Sequence, residues 1–227
     1  MSGKVLTDHQ IGSAKNKHKM VEYLESAAKL GDQYARLRLA SLYQSGELLK
    51  KDQVKAENIL LSLIEDGVVG AMFNITLLDT MSEDKKINYL KRASDLGHSK
   101  AKYNLFVKYK ERGDSVSDIK HLLYESANLG DMDAKTALGL YHFRGDEYFK
   151  KDIDVAIKYL KEPASNGSSK AQYILGTAYV FSIKSEEDYL NAEHWLMKSK
   201  NNGYLPAEKA LKQLYVIYNK IKHKFKD

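Results

Sequence analysis

Apolar residues recur along this chain at steps of three and four, the interval of one face of an α-helix. Met20, Tyr23, Leu24, Ala27 and Ala28 form one such stripe, which predicts an amphipathic helix. A glycine follows, and then a second pattern begins. Gly31, Gly67, Gly97, Gly130, Gly167 and Gly203 are each followed four residues later by an alanine: Ala35, Ala71, Ala101, Ala134, Ala171 and Ala207. Four residues further on stand Leu39, Ile75, Leu105, Leu138, Leu175 and Leu211, and then Tyr43, Asp79, Tyr109, His142, Tyr179 and Tyr215. Seven residues before every glycine is a leucine: Leu24, Leu60, Leu90, Leu123, Leu160 and Leu196. These are six internal copies of one unit.

Each unit reads as a helix, here named B, that ends at the glycine, a tight corner, and a second helix, A, that starts almost at once. Glycine ends helices because it enters the left-handed region without steric penalty. A corner this short makes B and A antiparallel. Successive glycines are 36, 30, 33, 37 and 36 residues apart, and the variation falls in the A-to-B connections, such as "QSGELLKKDQ" (44–53), "TMSEDKK" (80–86) and "RGDEYFKKDI" (144–153). Surface loops change length at small entropic cost, whereas a packed corner cannot. Six B and six A helices of roughly 12–14 residues each would use nearly the whole chain.

Composition narrows what such an array can do. With 43% hydrophobic and 29% charged residues and two prolines, the 227-residue chain should fold as an ordered, largely helical protein. Cysteine is absent, which removes disulfides, thiolate metal cages and a cysteine nucleophile. The longest apolar run, "ILLSLI" at 59–64, is too short to span a bilayer, and the first twenty residues lack the apolar core of a signal peptide. The chain as given is therefore expected to be cytoplasmic, or periplasmic or secreted if a leader was removed. The formal charge of +6 comes from 36 Lys and Arg against 30 Asp and Glu, which reads as solvated faces spread along the chain.

Candidate chemistry is sparse. His9, His18, His98, His121, His194 and His223 show no metal-binding spacing. Glycine-rich nucleotide motifs and the G-x-S-x-G nucleophile turn are missing too. No catalytic residue, metal or cofactor is expected. Three positions depart from the repeat. Pro163 occupies a B-helix slot filled by Ala27 and Ala93 elsewhere, predicting a local kink. Asp79 replaces the usual tyrosine, predicting an early end to its A helix. His142 in the same slot reads as a packed, hydrogen-bonded histidine.

The phrase "AQYILGTAY" (171–179), together with "YQSGELLKKDQVKAENIL" and "FRGDEYFKKDIDVAIKYL" with Asp52, Ala56, Asp152 and Ala156, resembles the Sel-1-like repeats, relatives of the tetratricopeptide repeats. The resemblance implies an all-α fold, a right-handed α/α superhelix or solenoid of about six stacked helical hairpins. Residues 17–222 would form the array, 1–16 an N-terminal cap or tail and 223–227 a basic C-terminal tail. By analogy with the tetratricopeptide groove, positions one before, two after and nine after each alanine would line a concave face. The candidates are Tyr34, Phe73, Lys100, Tyr103, Lys110, Phe143, Lys170 and Tyr173, with packing a competing role for Phe73, Tyr103 and Tyr173. The function implied is a non-enzymatic scaffold or adaptor for a protein or peptide partner. An immunity protein that neutralises a secreted toxin is the alternative. RNA binding, suggested by "KIKHKFKD", and the β-lactamase activity of cysteine-rich members have less support.

Overall fold

In the computed structural model, residues 8–225 are described, and among them there are helices and no strand. The B helices are α1 (Asp8–Lys29), α3 (Gln53–Glu65), α5 (Glu83–Asp95), α7 (Val116–Asn128), α9 (Ile153–Ser165) and α11 (Glu186–Asn201). They alternate with the A helices α2 (Gln33–Ser45), α4 (Val69–Asn74), α6 (Ser99–Arg112), α8 (Met132–Arg144), α10 (Ser169–Phe181) and α12 (Pro206–Ile221). A 3-10 turn, Lys222–Phe225, follows α12. Helix α1 begins at Asp8; the first seven residues of the expected cap or tail, and residues 226–227, lie outside the described residues. The chain forms two compact units, residues 1–105 and 106–227.

All six corner glycines have φ between +79° and +92°, and a Cβ placed on any of them would meet nothing within 4 Å. Backbone conformation, not crowding, selects glycine here. The residue after the glycine closes the ended helix: Asp32, Val68, His98, Asp131, Ser168 and Tyr204 each donate an N–H to a carbonyl five residues back, at 2.9–3.1 Å. The same residue opens the next helix. Asp32, His98, Asp131 and Ser168 accept the N–H of Ala35, Ala101, Ala134 and Ala171 on their side chains. One residue thus serves as the last of a helix stop and the first of a helix start. The spacing from glycine to alanine is the same at the Val68 and Tyr204 corners, where no side chain caps the next helix. The six alanines are at most 2% exposed, where a larger side chain would hold the paired helices apart.

The apolar stripes meet as expected except in α1, where Met20 and Tyr23 are exposed and Leu24, Ala27 and Ala28 only half-buried. Leu60, Leu90, Leu123, Leu160 and Leu196 are buried, as are Leu39, Ile75, Leu105, Leu138, Leu175 and Leu211. In the second unit, consecutive helices pack from α7 to α12, and alternate A helices also touch, α8 with α10 and α10 with α12. Two glycines inside A helices allow a close approach to the neighbouring B helix. A Cβ on Gly139 would lie 2.4 Å from Leu160 Cγ; on Gly176 it would lie 2.7 Å from Leu196 Cγ and 3.0 Å from the Leu196 backbone nitrogen. Buried polar groups tie hairpins together there. Gln172 donates to the Ala164 carbonyl at 2.9 Å and accepts from Asn202, also at 2.9 Å, while Ser199 donates to the Ser169 carbonyl at 2.7 Å.

Pro163 does not end its helix: α9 continues to Ser165, and the proline carbonyl accepts the Ser168 N–H at 3.0 Å. Its place in the last turn limits the loss to one intrahelical donor. Helix α4 is only six residues long and passes into a 3-10 turn at Ile75–Leu77, so Asp79 falls beyond the helix. His142 packs flat against Tyr159, with its Nδ1 3.0 Å from the Lys150 carbonyl and its Nε2 3.1 Å from the Tyr124 hydroxyl.

Candidate functional site

Helices α10 and α12 border a cleft of about 570 Å³ in the second unit. Helix α10 supplies Thr177, Val180 and Phe181; α12 supplies Ala210, Gln213, Val216 and Ile217, with Lys209 and Lys212 completing the lining. The spacing of these residues follows from the corners. Alanines 171 and 207 turn into the hairpin core, so side chains six and nine positions later emerge on the other side of the A helix: Thr177 and Val180 on α10, Gln213 and Val216 on α12. Phe181 is 67% exposed, Val216 56% and Ile217 37%. These large apolar side chains are only partly covered, which marks the face as one suited to association.

Two of the polar groups of the cleft, Thr177 and Lys212, are already engaged. Thr177 donates its hydroxyl proton to the Tyr173 carbonyl at 2.8 Å. Lys212 pairs with Glu208 at 3.1 Å, and this hydrogen bond, with the charges of Lys212 and Lys200, holds the Glu208 carboxyl below its usual range. The Lys151 ammonium sits 5.8 Å from the centre of the Phe181 ring. The lining contains no carboxylate, imidazole or thiol, and no group of three or more His, Asp or Glu able to hold a metal occurs among the described residues. This arrangement offers apolar contact and positive charge.

Charge is sorted by helix class in this unit, rather than spread evenly. Helices α8, α10 and α12 carry six Lys and Arg against two Asp and Glu; α7, α9 and α11 carry five against eight. The two helices that border the cleft, α10 and α12, together carry four Lys and one Glu.

The residues expected from sequence take varied positions. In the first unit, Tyr34 on α2 is 70% exposed and Lys100 on α6 is exposed, whereas Tyr103 is half-buried. Phe73 stacks on His98 at 4.8 Å, covering the imidazole that caps α6. In the second unit, Lys110 bonds the Tyr141 hydroxyl, and Lys170 is exposed at the start of α10. Tyr173 lies 5.2 Å from Tyr204 and packs against two core clusters. Phe143 contacts Phe181 edge-on at 5.4 Å, which places it beside the cleft. None of the eight is in the cleft lining itself. The offset of nine residues after alanine lands on Val180 and Val216, but a search for aromatic and cationic side chains passes over valines.

The family model for the Sel1 repeat matches residues 8–32, 33–67, 87–98, 133–168 and 169–204, more than half of the chain. The chain belongs to the Sel1 repeat family. Its matched repeats end at or one residue past the corner glycines, and the unmatched stretches include the short α4. Curated protein sequences yield no significant match. Among solved structures, a Sel1 repeat protein from Oxalobacter formigenes aligns with a TM-score of 0.73 at 21% identity, covering 90% of this chain and 89% of that one. The protective antigen c5321 of uropathogenic Escherichia coli, which displays an SLR fold, gives 0.66 at 22% identity over 90% of this chain and 48% of its own. Immunity protein Pa5087 from Pseudomonas aeruginosa gives 0.55 at 19% identity, covering 90% and 84%. The fold of this Sel1 repeat protein is thus the all-α hairpin array of those structures. No helix among its described residues is long and apolar enough to cross a membrane.

Proposed function

We propose that this Sel1 repeat chain is a non-enzymatic scaffold that binds a protein partner through its A helices, with the α10–α12 cleft as the main anchor. The observation that carries this reading is the partly covered apolar set Phe181, Val216 and Ile217 on the lysine-bearing helices α10 and α12. Phe143, Lys170 and Tyr173 flank it on α8 and α10, and Tyr34, Phe73, Lys100, Tyr103 and Lys110 are further candidate contacts. Site-specific photo-crosslinking in cells tests the reading. A photoreactive residue at Val216 should give one or more protein adducts, and the same group at Leu190 of α11, 54% exposed, should not. Adducts from position 190 alone, or from neither position, would count against the cleft.

A second reading is an immunity protein for a cognate secreted toxin. Its support is the fold shared with Pa5087 at similar chain length. A single adduct that is a secreted toxin, and survival of toxin-expressing cells only when this chain is present, would favour it; several adducts of unrelated proteins would favour the general scaffold.

A further inference from the structure

The nature of the partner can be read from the cleft, on the premise that the cleft is the anchor just proposed. The α12 wall runs from Lys209 to Ile217, about 12 Å at 1.5 Å per residue. That is roughly two helical turns, the reach of apolar anchors at i, i+4 and i+7 on a docked helix. The floor is aliphatic and aromatic, and its one hydroxyl is committed to the Tyr173 carbonyl. A small polar ligand would find few directed contacts there, whereas bulky apolar side chains would find a matching surface.

Charge decides what surrounds those anchors. Helix α10 has no acidic residue. On α12 the acidic residue is Glu208, and it is paired with Lys212. Lys209 lines the cleft, Lys151 stands over Phe181, and Lys170 and Lys220 belong to the same two A helices. An incoming segment with cations would be repelled, and one with carboxylates would be drawn in and held in register. RNA would supply the negative charge, but a single-stranded segment binds by stacking successive bases on aromatic faces; the lining has one aromatic ring, Phe181, and the rest of its apolar surface is aliphatic.

We infer that the cleft receives an acidic amphipathic helix, a partner segment with two or three bulky apolar side chains one to two turns apart, flanked by Asp and Glu.

The test is to pan a phage-displayed library of random peptides, about four helical turns long, on the whole protein, with counter-selection on the Val216→Asp protein. Selected peptides are then synthesised and titrated by fluorescence anisotropy. Enriched peptides should pair apolar residues at helical spacing with net negative charge. They should bind at least about tenfold more weakly to Val216→Asp and to Phe181→Ser, and should weaken as salt is raised. Lys209→Glu should reduce binding, and exchanging the peptide's glutamates for lysines should restore it. Circular dichroism melts identify any misfolded variant, and the Lys209→Glu pair with its charge-reversed peptide then carries the test alone. Selected peptides that are basic or show no charge preference, yet still depend on Val216, would overturn the acidic partner and leave the cleft as the anchor. Peptides indifferent to Val216, Phe181 and Lys209 would overturn both. Two other results overturn the inference: retention of a uridine oligonucleotide that competes with the peptides, and self-association in sedimentation that Val216→Asp abolishes.

Discussion

Helices α4 and α10 begin from the same corner and end differently. Both follow a left-handed glycine, Gly67 or Gly167, and both bury the alanine four residues on. Helix α10 starts from the side chain of Ser168, which caps the Ala171 N–H, and runs thirteen residues to Phe181. Helix α4 follows Val68, which has no capping group, and ends after six residues. In the space past its end, Asp79 meets Lys51 at 3.1 Å and Gln53 at 3.2 Å, and Gln44 donates to the Leu77 carbonyl at 2.8 Å. Where α10 continues, it displays Val180 and Phe181. The corner sets the direction of an A helix, but its length decides whether the second half presents an apolar wall or a polar loop.

The comparison can be broken most severely at the wall's support. Leu196 is fully buried and touches α10 at Gly176, so Leu196→Ala should cost about 2–5 kcal/mol by leaving a cavity; a chemical-denaturation midpoint unchanged from the native protein would show that α10 does not depend on α11. Gly176→Ala should cost about 1–3 kcal/mol, because its Cβ would press on Leu196 and on the backbone of α11, which cannot yield as a side chain can. Thermal melts should rank it below Leu196→Ala and above the changes that follow. Asp131 is 5% exposed and caps α8 through the Ala134 N–H at 2.8 Å. Asp131→Ala should cost about 1 kcal/mol, measured by urea unfolding, which shows how much a corner loses when its second residue resembles Val68. Asp79→Ala should change stability by less than about 0.5 kcal/mol, since its contacts to Lys51 and Gln53 are exposed; a larger loss would mean that the polar loop past α4 contributes to the packing of the first unit.

The corners were legible because one physical demand recurs six times: a residue that can adopt positive φ, then a side chain small enough for two helices to touch. The short α4 was legible from Asp79, where a polar residue breaks the apolar stripe. Helix starts at Asp32, His98, Asp131 and Ser168 were present in the letters too, but become visible only once the glycine is seen to end one helix and its neighbour to begin another. The cleft was hidden for a different reason. Val216 and Ile217 look like core residues in a sequence, and their exposure depends on which neighbouring helix fails to cover them, whereas Val180 beside them is half-buried against the core. The sorting of charge onto A helices also needed the helix classes before it could be counted. Tyr173 and Phe73 show the reverse case: aromatic residues at groove-like offsets that the fold uses against Tyr204 and His98.

Hydrogen exchange measured on the whole protein, with and without a saturating selected peptide, tests most directly whether the A-helix cleft is the working surface. Slowed exchange is predicted in the segments holding residues 177–181 and 209–217, with α9 and α11 unchanged. Protection confined to α9 and α11, or absent from both A-helix segments while the peptide is bound, would contradict it.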